Sequence, residues 1–345
     1  MLEDQVYQVF QLRTGKKVAK LRKLNGLSNH VFKVVDEEGA SWIFKILRAD
    51  HNDPFKKLER IAMNLVAGNG EGLIFDDEHC RIEKYIPNDE TTFAQVMNSL
   101  ERLKIMRSIA GFNRLHQVND SVPNFYKIMA NDSQTMLAKI HTNLELLDEK
   151  SRAEFNVILA DIQEIADSVK DKFKSDSLVV SHNDLFYRNI IYDKEKHRYV
   201  LIDYEYCGYN PQGMDIFQFV NEFLIDYDIE ETPYFKLVMQ NYPSEESLKE
   251  MIRFYLFSYD HADLINDKLD TDELVDYVRS LPEFKGINED RVQAIYGMFP
   301  YFGIITNIFW LYWGLYVFRI ENINLDYVEF ARAKYQMVQH FRGLL

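Results

Sequence analysis

Residues 181–189 read Ser-His-Asn-Asp-Leu-Phe-Tyr-Arg-Asn, and residues 201–205 read Leu-Ile-Asp-Tyr-Glu. Within these two stretches Asn189 follows Asp184 after five positions, and Asp203 follows Asp184 after 19 positions. The residues between them have the apolar pattern of two short strands joined by a polar turn. The sequence therefore predicts that three oxygen-bearing side chains lie at the ends of short, rigid elements.

The order and spacing of these three side chains are those of a phosphoryl-transfer site. That reaction needs an acceptor that orients the attacking hydroxyl, and oxygen ligands that hold Mg²⁺ against phosphate oxygens. Asp184 suits the first role, whereas Asn189 and Asp203 suit the second. The kinase catalytic loop has the same five-residue step from Asp to Asn. A single Asp and Asn at this spacing are more often turn residues, so the hypothesis depends on all three side chains occurring together.

The composition indicates a globular protein and argues against several classes. The chain has 345 residues, of which 47% are hydrophobic and 27% are charged, and its formal net charge is −14. This acidic balance disfavours binding to nucleic acid through the phosphate backbone and suits a small cationic ligand. Two cysteines, Cys80 and Cys207, without a disulfide framework or a secretory leader, favour a cytoplasmic location.

One apolar stretch raises the alternative of a membrane span. The 27 residues between Arg291 and Arg319 are all uncharged, and this length is enough to cross a bilayer. However, the stretch includes Gln293, Pro300 and Asn307, and its aromatic residues run through the middle instead of collecting at both ends. We expect a buried helix pair here.

The order of the patterns divides the chain into a strand-rich front lobe, residues 1–87, and a mainly helical lobe, residues 88–345. In the front lobe we predict that residues 18–47 form strands, two of them at 30–35 and 42–47. A helix at 54–67 and strands at 72–75 and 80–85 follow. In the second lobe we predict helices from about residue 92, most clearly at 98–116, with a hairpin formed by 189–192 and 199–203.

Lys45 lies among apolar residues in a predicted strand of the front lobe. A kinase-type fold places a lysine there that contacts the α- and β-phosphates of the nucleotide. Glu59, on the next predicted helix, is the expected partner of its ammonium group. The alternatives are an edge-strand charge for Lys45 and a solvated helix face for Glu59. The turn at residues 26–29, Gly-Leu-Ser-Asn, would offer backbone N–H groups to the phosphates.

From about residue 20 to the C-terminus the chain resembles the choline/ethanolamine kinases, which are relatives of the aminoglycoside phosphotransferases and, more distantly, of protein kinases. The motifs that carry the resemblance are residues 26–29, 81–87, 182–184 with Asn189, 202–206, 208–223, 309–310, 313–315 and 327–335. The resemblance implies an α+β, protein-kinase-like fold with two lobes. The small β-rich lobe (1–87) would bind nucleotide, and the larger helical lobe (88–345) would carry catalysis and choline binding.

The resemblance also implies roles for the residues that bind the nucleotide and metal. Asp184 would be the catalytic base, Asn189 and Asp203 would hold Mg²⁺, and ATP would lie between the lobes. Asp215 would brace the catalytic loop. The implied nucleotide-binding residues, including a hinge that holds adenine through its backbone, are Ser28, Asn29, Lys45, Glu83, Lys84, Tyr85 and Ile86.

A choline pocket made of aromatic side chains and one carboxylate is the third implication of the resemblance. Its implied members are Tyr206, Glu222, Tyr227, Trp310, Trp313, Tyr327 and Phe330. The physical chemistry agrees, because a quaternary ammonium has no N–H to donate and binds π faces and a nearby anion. Trp310 and Trp313 are three residues apart and would share one helix face, although such spacing is also typical of a hydrophobic core.

Three positions depart from the family pattern. Arg188 stands where glycine is usual, so that its side chain either approaches the phosphates or points to solvent. Lys45 stands where arginine is frequent, and a lysine holds phosphate only as a point charge. Leu325 lies in a stretch that often supplies an aromatic residue, so one wall of the pocket would be less aromatic.

The sequence therefore predicts an ATP- and Mg²⁺-dependent choline kinase, a cytoplasmic enzyme that makes phosphocholine for phosphatidylcholine synthesis. Ethanolamine kinase is the nearest alternative. An aminoglycoside-type phosphotransferase would need a carboxylate-rich pocket, and a non-catalytic choline-binding protein would be free to lose Asp184, Asn189, Asp203 or Lys45. The expected partner is a small amino alcohol, with no nucleic acid and no membrane span, and the resemblance suggests a homodimer.

Overall fold

The structure is a computed structural model in which residues 2–24, 30–47, 73–77, 79–115, 136–173, 178–265, 271–318 and 325–345 are described. The chain forms two compact units, Met1–Asn88 and Asp89–Leu345. The first unit contains an antiparallel sheet, and the second is mainly helical. This arrangement confirms the predicted α+β class.

The described residues of the first unit form a five-stranded sheet with a helix packed against it. The helix is α1 (Leu2–Thr14), and the strands are β1 (Val18–Leu24), β2 (His30–Asp36), β3 (Ser41–Ile46), β4 (Leu73–Asp76) and β5 (Cys80–Lys84), in the order β1-β2-β3-β5-β4. Val6 and Phe10 of α1 are fully buried in one cluster with Phe32 and Phe44 of the sheet. The sequence patterns predict β2 to β5 to within two residues but do not predict α1.

The described residues of the second unit form mostly helices, with short strands near the predicted site. Its helices are α2 (Phe93–Met97), α3 (Ser99–Asn113), α4 (Glu149–Val169), α5 (Met214–Asn221), α6 (Glu245–Asp260), α7 (Thr271–Ser280), α8 (Pro282–Lys285), α9 (Glu289–Gly297), α10 (Phe299–Val317) and α11 (Tyr327–Arg342). Its strands are β6 (Asn88–Glu90), which begins at the division, β7 (Leu178–Ser181), β8 (Ile190–Asp193), β9 (Arg198–Leu201), β10 (Gly208–Pro211), β11 (Ile225–Asp226) and β12 (Lys236–Leu237).

Two antiparallel strand pairs position the segment that the sequence singled out. The predicted hairpin is confirmed as β8 and β9, which pair from Ile190–Leu201 to Asp193–Arg198. A second pair, β7 with β10, brings Ser181 opposite Gly208, and the sequence analysis does not predict it. The predicted helix at 98–116 is observed as α3, whereas the predicted helix at 54–67 lies outside the described residues.

The predicted buried helix pair is observed in part, because α10 is largely buried whereas only Val292 and Ile295 of α9 are buried. Helix α10 is apolar on nearly all sides, which is the pattern of a helix surrounded by protein. Within the described part of the chain, Glu289–Val317 is the one helical stretch long and apolar enough to cross a bilayer, and most of it is buried. Because the core helix of a soluble protein meets the same criteria, this composition is weak evidence for a span.

We predict that Gly303→Ala destabilises the second unit. A Cβ at Gly303 would meet the buried Phe341 ring at 2.3 Å from its Cγ, so α10 and α11 would have to separate. The expected loss in the free energy of unfolding is about 1–3 kcal/mol by urea denaturation. Gly111→Ala in α3 is the matched control, because its Cβ meets nothing within 4 Å and alanine favours a helix. Equal stabilities of the two variants would contradict this packing.

Candidate active site

The site begins where β7 ends, in a turn that Asn183 makes possible. Asn183 has φ 67, a left-handed conformation that asparagine adopts more readily than most residues. Its side chain is held on both sides, because Nδ2 donates to the Tyr206 carbonyl at 2.9 Å and Oδ1 accepts from Asn210 Nδ2 at 2.6 Å. The turn therefore presents the next residue, Asp184, in a fixed orientation.

Asp215, in the first turn of α5, braces this segment from behind. Its Oδ2 accepts from the His182 backbone N–H at 2.8 Å, and its Oδ1 accepts from the Asn183 N–H at 3.1 Å. Asn113, at the end of α3, donates to Oδ2 at 2.7 Å and to the Val180 carbonyl. Burial raises the Asp215 pKa to about 6, and the hydrogen bonds oppose this rise. One buried carboxylate thus joins α3, α5 and the turn.

Asp184 and Asn189 are held together by two hydrogen bonds. Asn189 Nδ2 donates to Asp184 Oδ2 at 2.7 Å and to the Asp184 carbonyl at 3.0 Å, which directs the amide oxygen of Asn189 away from Asp184. Burial raises the Asp184 pKa to about 8, and the negative charges of Glu222 and Asp203 add to the rise. Asp184 therefore lies in a concentrated negative field.

His182 links Asp184 to the segment after β9 that carries Asp203. Its Nε2 lies 2.9 Å from the Ile202 carbonyl, which can only accept, so the ring proton is on Nε2. The Asp184 N–H donates to Nδ1 at 3.3 Å, and burial lowers the His182 pKa to about 4, so the ring is neutral. Asp203 itself follows β9 with φ 66. The sequence analysis quoted His182 as part of a motif but gave it no role.

The described residues fit the magnesium site that the sequence predicts. Among them there is no group of three or more His, Cys, Asp or Glu side chains that could hold a metal ion by themselves. Magnesium is usually held by one or two protein ligands together with phosphate oxygens and water, and it prefers hard oxygen donors. The amide oxygen of Asn189 and the carboxylate of Asp203 are such donors. A dication there would also offset the repulsion between Asp184 and Asp203.

Five of the seven predicted pocket residues form a continuous chain of ring contacts. Tyr206 lies edge-to-face with Trp310, with ring centroids 5.3 Å apart, and Trp310 lies edge-to-face with Trp313 at 5.4 Å. Trp313 then contacts Tyr327 at 5.7 Å and Phe330 at 6.2 Å. The Trp313 Nε1–H donates to the Tyr206 hydroxyl at 2.9 Å, which fixes the indole orientation. These side chains provide a set of fixed aromatic surfaces.

The remaining two predicted residues form an acidic side of this group. Tyr227 is hydrogen-bonded to the Glu222 carboxylate, and burial raises the Glu222 pKa, an effect that Lys334 opposes. Lys334 Nζ lies 3.9 Å from Glu222 Oε1 and 5.1 Å from the centroid of the Phe330 ring. The sequence analysis missed Lys334. The sequence feature that could have identified Lys334 is its position four residues after Phe330, where it is a cation on the apolar face of α11.

In the first unit, Lys45 lies on β3 with its Nζ 3.7 Å from Glu83 Oε1. Sequence analysis assigned Glu59 as the partner of this lysine, but Glu59 lies outside the described residues, as do Ser28 and Asn29. Of the predicted hinge, Glu83 and Lys84 end β5, whereas Tyr85 and Ile86 follow it. The Lys33 ammonium covers the Tyr85 ring at 3.4 Å from its centroid.

Arg188, which departs from the family pattern, points to the surface. Its side chain is 61% exposed, pairs with Asp228 at 3.3 Å, and contacts the rings of Phe186 and Tyr187. Of the two alternatives for Arg188, the structure favours the solvent-exposed one. Leu325 is only partly buried.

A protein-family model described as choline/ethanolamine kinase matches residues 21–339. The chain belongs to the choline/ethanolamine kinase family. Ethanolamine kinase 2 of Mus musculus is 27% identical over 169 residues, which are 48% of this chain and 34% of that protein. Choline kinase alpha of Mus musculus is 27% identical over 164 residues, which are 46% of this chain and 32% of that protein. The matched segments thus span about a third of each relative.

A crystal structure has a similar fold. Choline kinase from Cryptosporidium parvum superposes with a TM-score of 0.71 at 18% identity, over 99% of this chain and 96% of that chain. This likeness confirms the predicted kinase-like fold. The conserved fold does not by itself distinguish substrates.

We predict that Asp215→Asn lowers the free energy of unfolding of this protein. The asparagine amide group would face N–H donors that the carboxylate now accepts, which leaves buried donors unsatisfied at a cost of about 1–3 kcal/mol. Urea unfolding measures the loss. Asp276→Asn is the matched control, because Asp276 is 84% exposed, and we expect a change below about 0.5 kcal/mol there. Equal losses in the two variants would show that Asp215 is not a brace.

Proposed function

We propose that this protein transfers the γ-phosphoryl group of ATP to the hydroxyl of choline. The observation that carries the proposal is one group of fixed aromatic rings beside a largely buried carboxylate, Glu222, whose charge adds to the rise that burial causes in the Asp184 pKa. Because the charge of Glu222 acts on Asp184, we infer that a small ligand whose ammonium group lies near Glu222 would bring its hydroxyl group near Asp184. An amino alcohol carries both groups in one small molecule.

In the proposed reaction, Asp184 orients the substrate hydroxyl and accepts its proton. The hydroxyl oxygen forms a bond to the γ-phosphorus, and the bond from that phosphorus to the oxygen of ADP breaks. Asn189 and Asp203 would hold Mg²⁺, which would neutralise charge on the phosphates. Asn189 also positions the base, because its amide donates to Asp184. The residues proposed to bind nucleotide in the first unit are Lys45, Glu83, Lys84, Tyr85 and Ile86, with Ser28 and Asn29.

The choice of choline over ethanolamine depends on the chemistry of the pocket. A trimethylammonium group cannot donate hydrogen bonds and gains most from aromatic faces. A primary ammonium needs acceptors, and Glu222 is the acid proposed to supply them. Trp310 and Trp313 therefore favour choline. Ethanolamine remains the second candidate, because Glu222 attracts either cation and family members named for both substrates match this chain.

The wider setting of the reaction is also a proposal. Phosphocholine would enter phosphatidylcholine synthesis, and a cytoplasmic location agrees with two cysteines that are both thiols. The homodimer remains a prediction from the family resemblance, and light scattering would test it. An aminoglycoside substrate is less well supported, because a polycationic ligand favours a pocket with several carboxylates.

The proposed function is tested by ADP release with MgATP and one acceptor at a time. Choline, ethanolamine and an aminoglycoside are supplied in turn, and a sample without acceptor gives the background hydrolysis. We expect the highest kcat/KM with choline and a lower value with ethanolamine. Release no faster than the background with both amino alcohols would contradict the proposal.

We predict that Asp184→Asn lowers kcat by roughly 10²- to 10⁴-fold, the usual contribution of a positioned acid or base. The amide cannot accept the hydroxyl proton but fills the same space. Nucleotide affinity, measured by titration in the absence of acceptor, should barely change. A near-normal kcat in this variant would exclude Asp184 as the base.

We predict that replacing both Trp310 and Trp313 by alanine lowers kcat/KM for choline by roughly 5- to 1000-fold, because each cation–π contact contributes about 0.5–2 kcal/mol. Ethanolamine should lose less, so the preference for choline should shrink. Glu222→Gln is the matched variant and should weaken both substrates, since both are cations.

A melting curve separates this result from a structural effect of the tryptophan pair. If the rings only filled a core, the double variant would melt at a lower temperature and lose activity on both alcohols by similar factors. An unchanged preference ratio would then place the ammonium site elsewhere.

A further inference from the structure

Lys334 is a buried cation at the proposed ammonium pocket. It lies on α11, one turn after Phe330, and its side chain is 1% exposed. Its Nζ lies 3.9 Å from Glu222 Oε1 and 5.1 Å from the centroid of the Phe330 ring. Within the described residues, Nζ has no hydrogen-bond partner. The lysine thus presents its ammonium to the carboxylate and to one of the aromatic faces proposed to hold the substrate.

A buried ammonium without hydrogen bonds is costly, because it has left water without full compensation. Burial lowers the Lys334 pKa, and the charges of Glu222 and Asp184 oppose this effect. The Tyr227 hydroxyl also faces Glu222, but as a hydrogen-bond partner and not as a charge. The Lys334 ammonium is therefore held by attraction to Glu222 and Asp184 and by the face of the Phe330 ring.

We infer that Lys334 is a specificity-determining residue, an internal cation that shares Glu222 with the substrate and so favours quaternary over primary ammonium groups. This inference rests on the proposed function. A primary ammonium needs hydrogen-bond acceptors, and a lysine that already engages Glu222 competes with it directly. A trimethylammonium group has no N–H, takes its binding energy from the aromatic faces, and loses less to this competition.

The same competition predicts the direction in which the preference changes when the lysine charge is removed. Lys334→Met keeps a side chain of similar length in a buried site but carries no charge. Both cations then gain from the loss of repulsion. The primary ammonium gains an additional charge-assisted hydrogen bond to Glu222, which keeps its hydrogen bond from Tyr227 but no longer has an internal cation beside it.

The inference is tested by equilibrium binding of choline and of ethanolamine, followed by the tryptophan fluorescence of Trp310 and Trp313. The titrations use the parent chain and Lys334→Met at about pH 8, well above the ordinary pKa of a carboxyl group. We expect ethanolamine to bind about tenfold more tightly in the variant, the equivalent of one charge-assisted hydrogen bond. Choline should gain by a smaller factor, so that the ratio of the two dissociation constants shifts toward ethanolamine.

Two further variants separate charge from packing. Lys334→Arg keeps the charge and should keep the parent ratio. In the background of Glu222→Gln, Lys334→Met should improve both ligands by the same factor, because the shared carboxylate is gone. This double variant removes both buried charges and should fold even if Lys334→Met does not, since replacing a whole buried pair is commonly neutral. A gain confined to ethanolamine in that background would overturn the inference.

An unchanged binding ratio in folded Lys334→Met, or an equal weakening of both ligands, would likewise overturn it. The first result would mean that the lysine does not compete for Glu222, and the second that it only supports packing. Failure of the proposed function looks different. In that case the parent would release no ADP with either alcohol, while the binding ratio could still respond to Lys334→Met.

Discussion

The site depends most on one buried carboxylate that accepts three N–H groups. Asp215 joins the turn at His182 and Asn183 to Asn113 at the end of α3. Each donor would be unsatisfied without it, and buried unsatisfied donors are costly. Because the turn is fixed in this way, the backbone as well as the side-chain contacts of Asp184 sets the position of its carboxylate. Asn189 then adds the last constraint by donating to Asp184.

The second constraint is the distribution of charge around the turn. The negative charges of Asp203 and Glu222 both act on Asp184, and among the described residues Lys334 is the cation that acts on both Asp184 and Glu222. Such a field suits ligands that bring positive charge, namely an ammonium group and a magnesium ion. The neutral state of His182 agrees with this division, because that ring contributes hydrogen bonds without adding charge. Hydrogen bonds therefore fix the side chains of the site, and its negative charges outnumber its positive ones.

Much of this arrangement could be predicted from the sequence, for physical reasons that differ between elements. Strands β2, β3 and β5 and helix α3 follow from apolar periodicity, and the hairpin of β8 and β9 follows from its turn. Strands β7 and β10 have no such signal, because they are short and buried. Helix α1 was missed since its buried face is narrow, essentially Val6 and Phe10. Lys334 was missed because a cation on an apolar stripe is read as surface until its partner, distant in sequence, is known.

We propose that this chain makes phosphocholine, and identification of the product tests this most directly. ³¹P NMR of a mixture of the protein, ATP, Mg²⁺ and choline distinguishes a phosphomonoester of choline from free phosphate. We expect phosphocholine and ADP to appear in equal amounts, and both to form roughly 10²- to 10⁴-fold more slowly when Asp184→Asn replaces the parent. Formation of free phosphate and ADP without phosphocholine, or of no product at all, would contradict it.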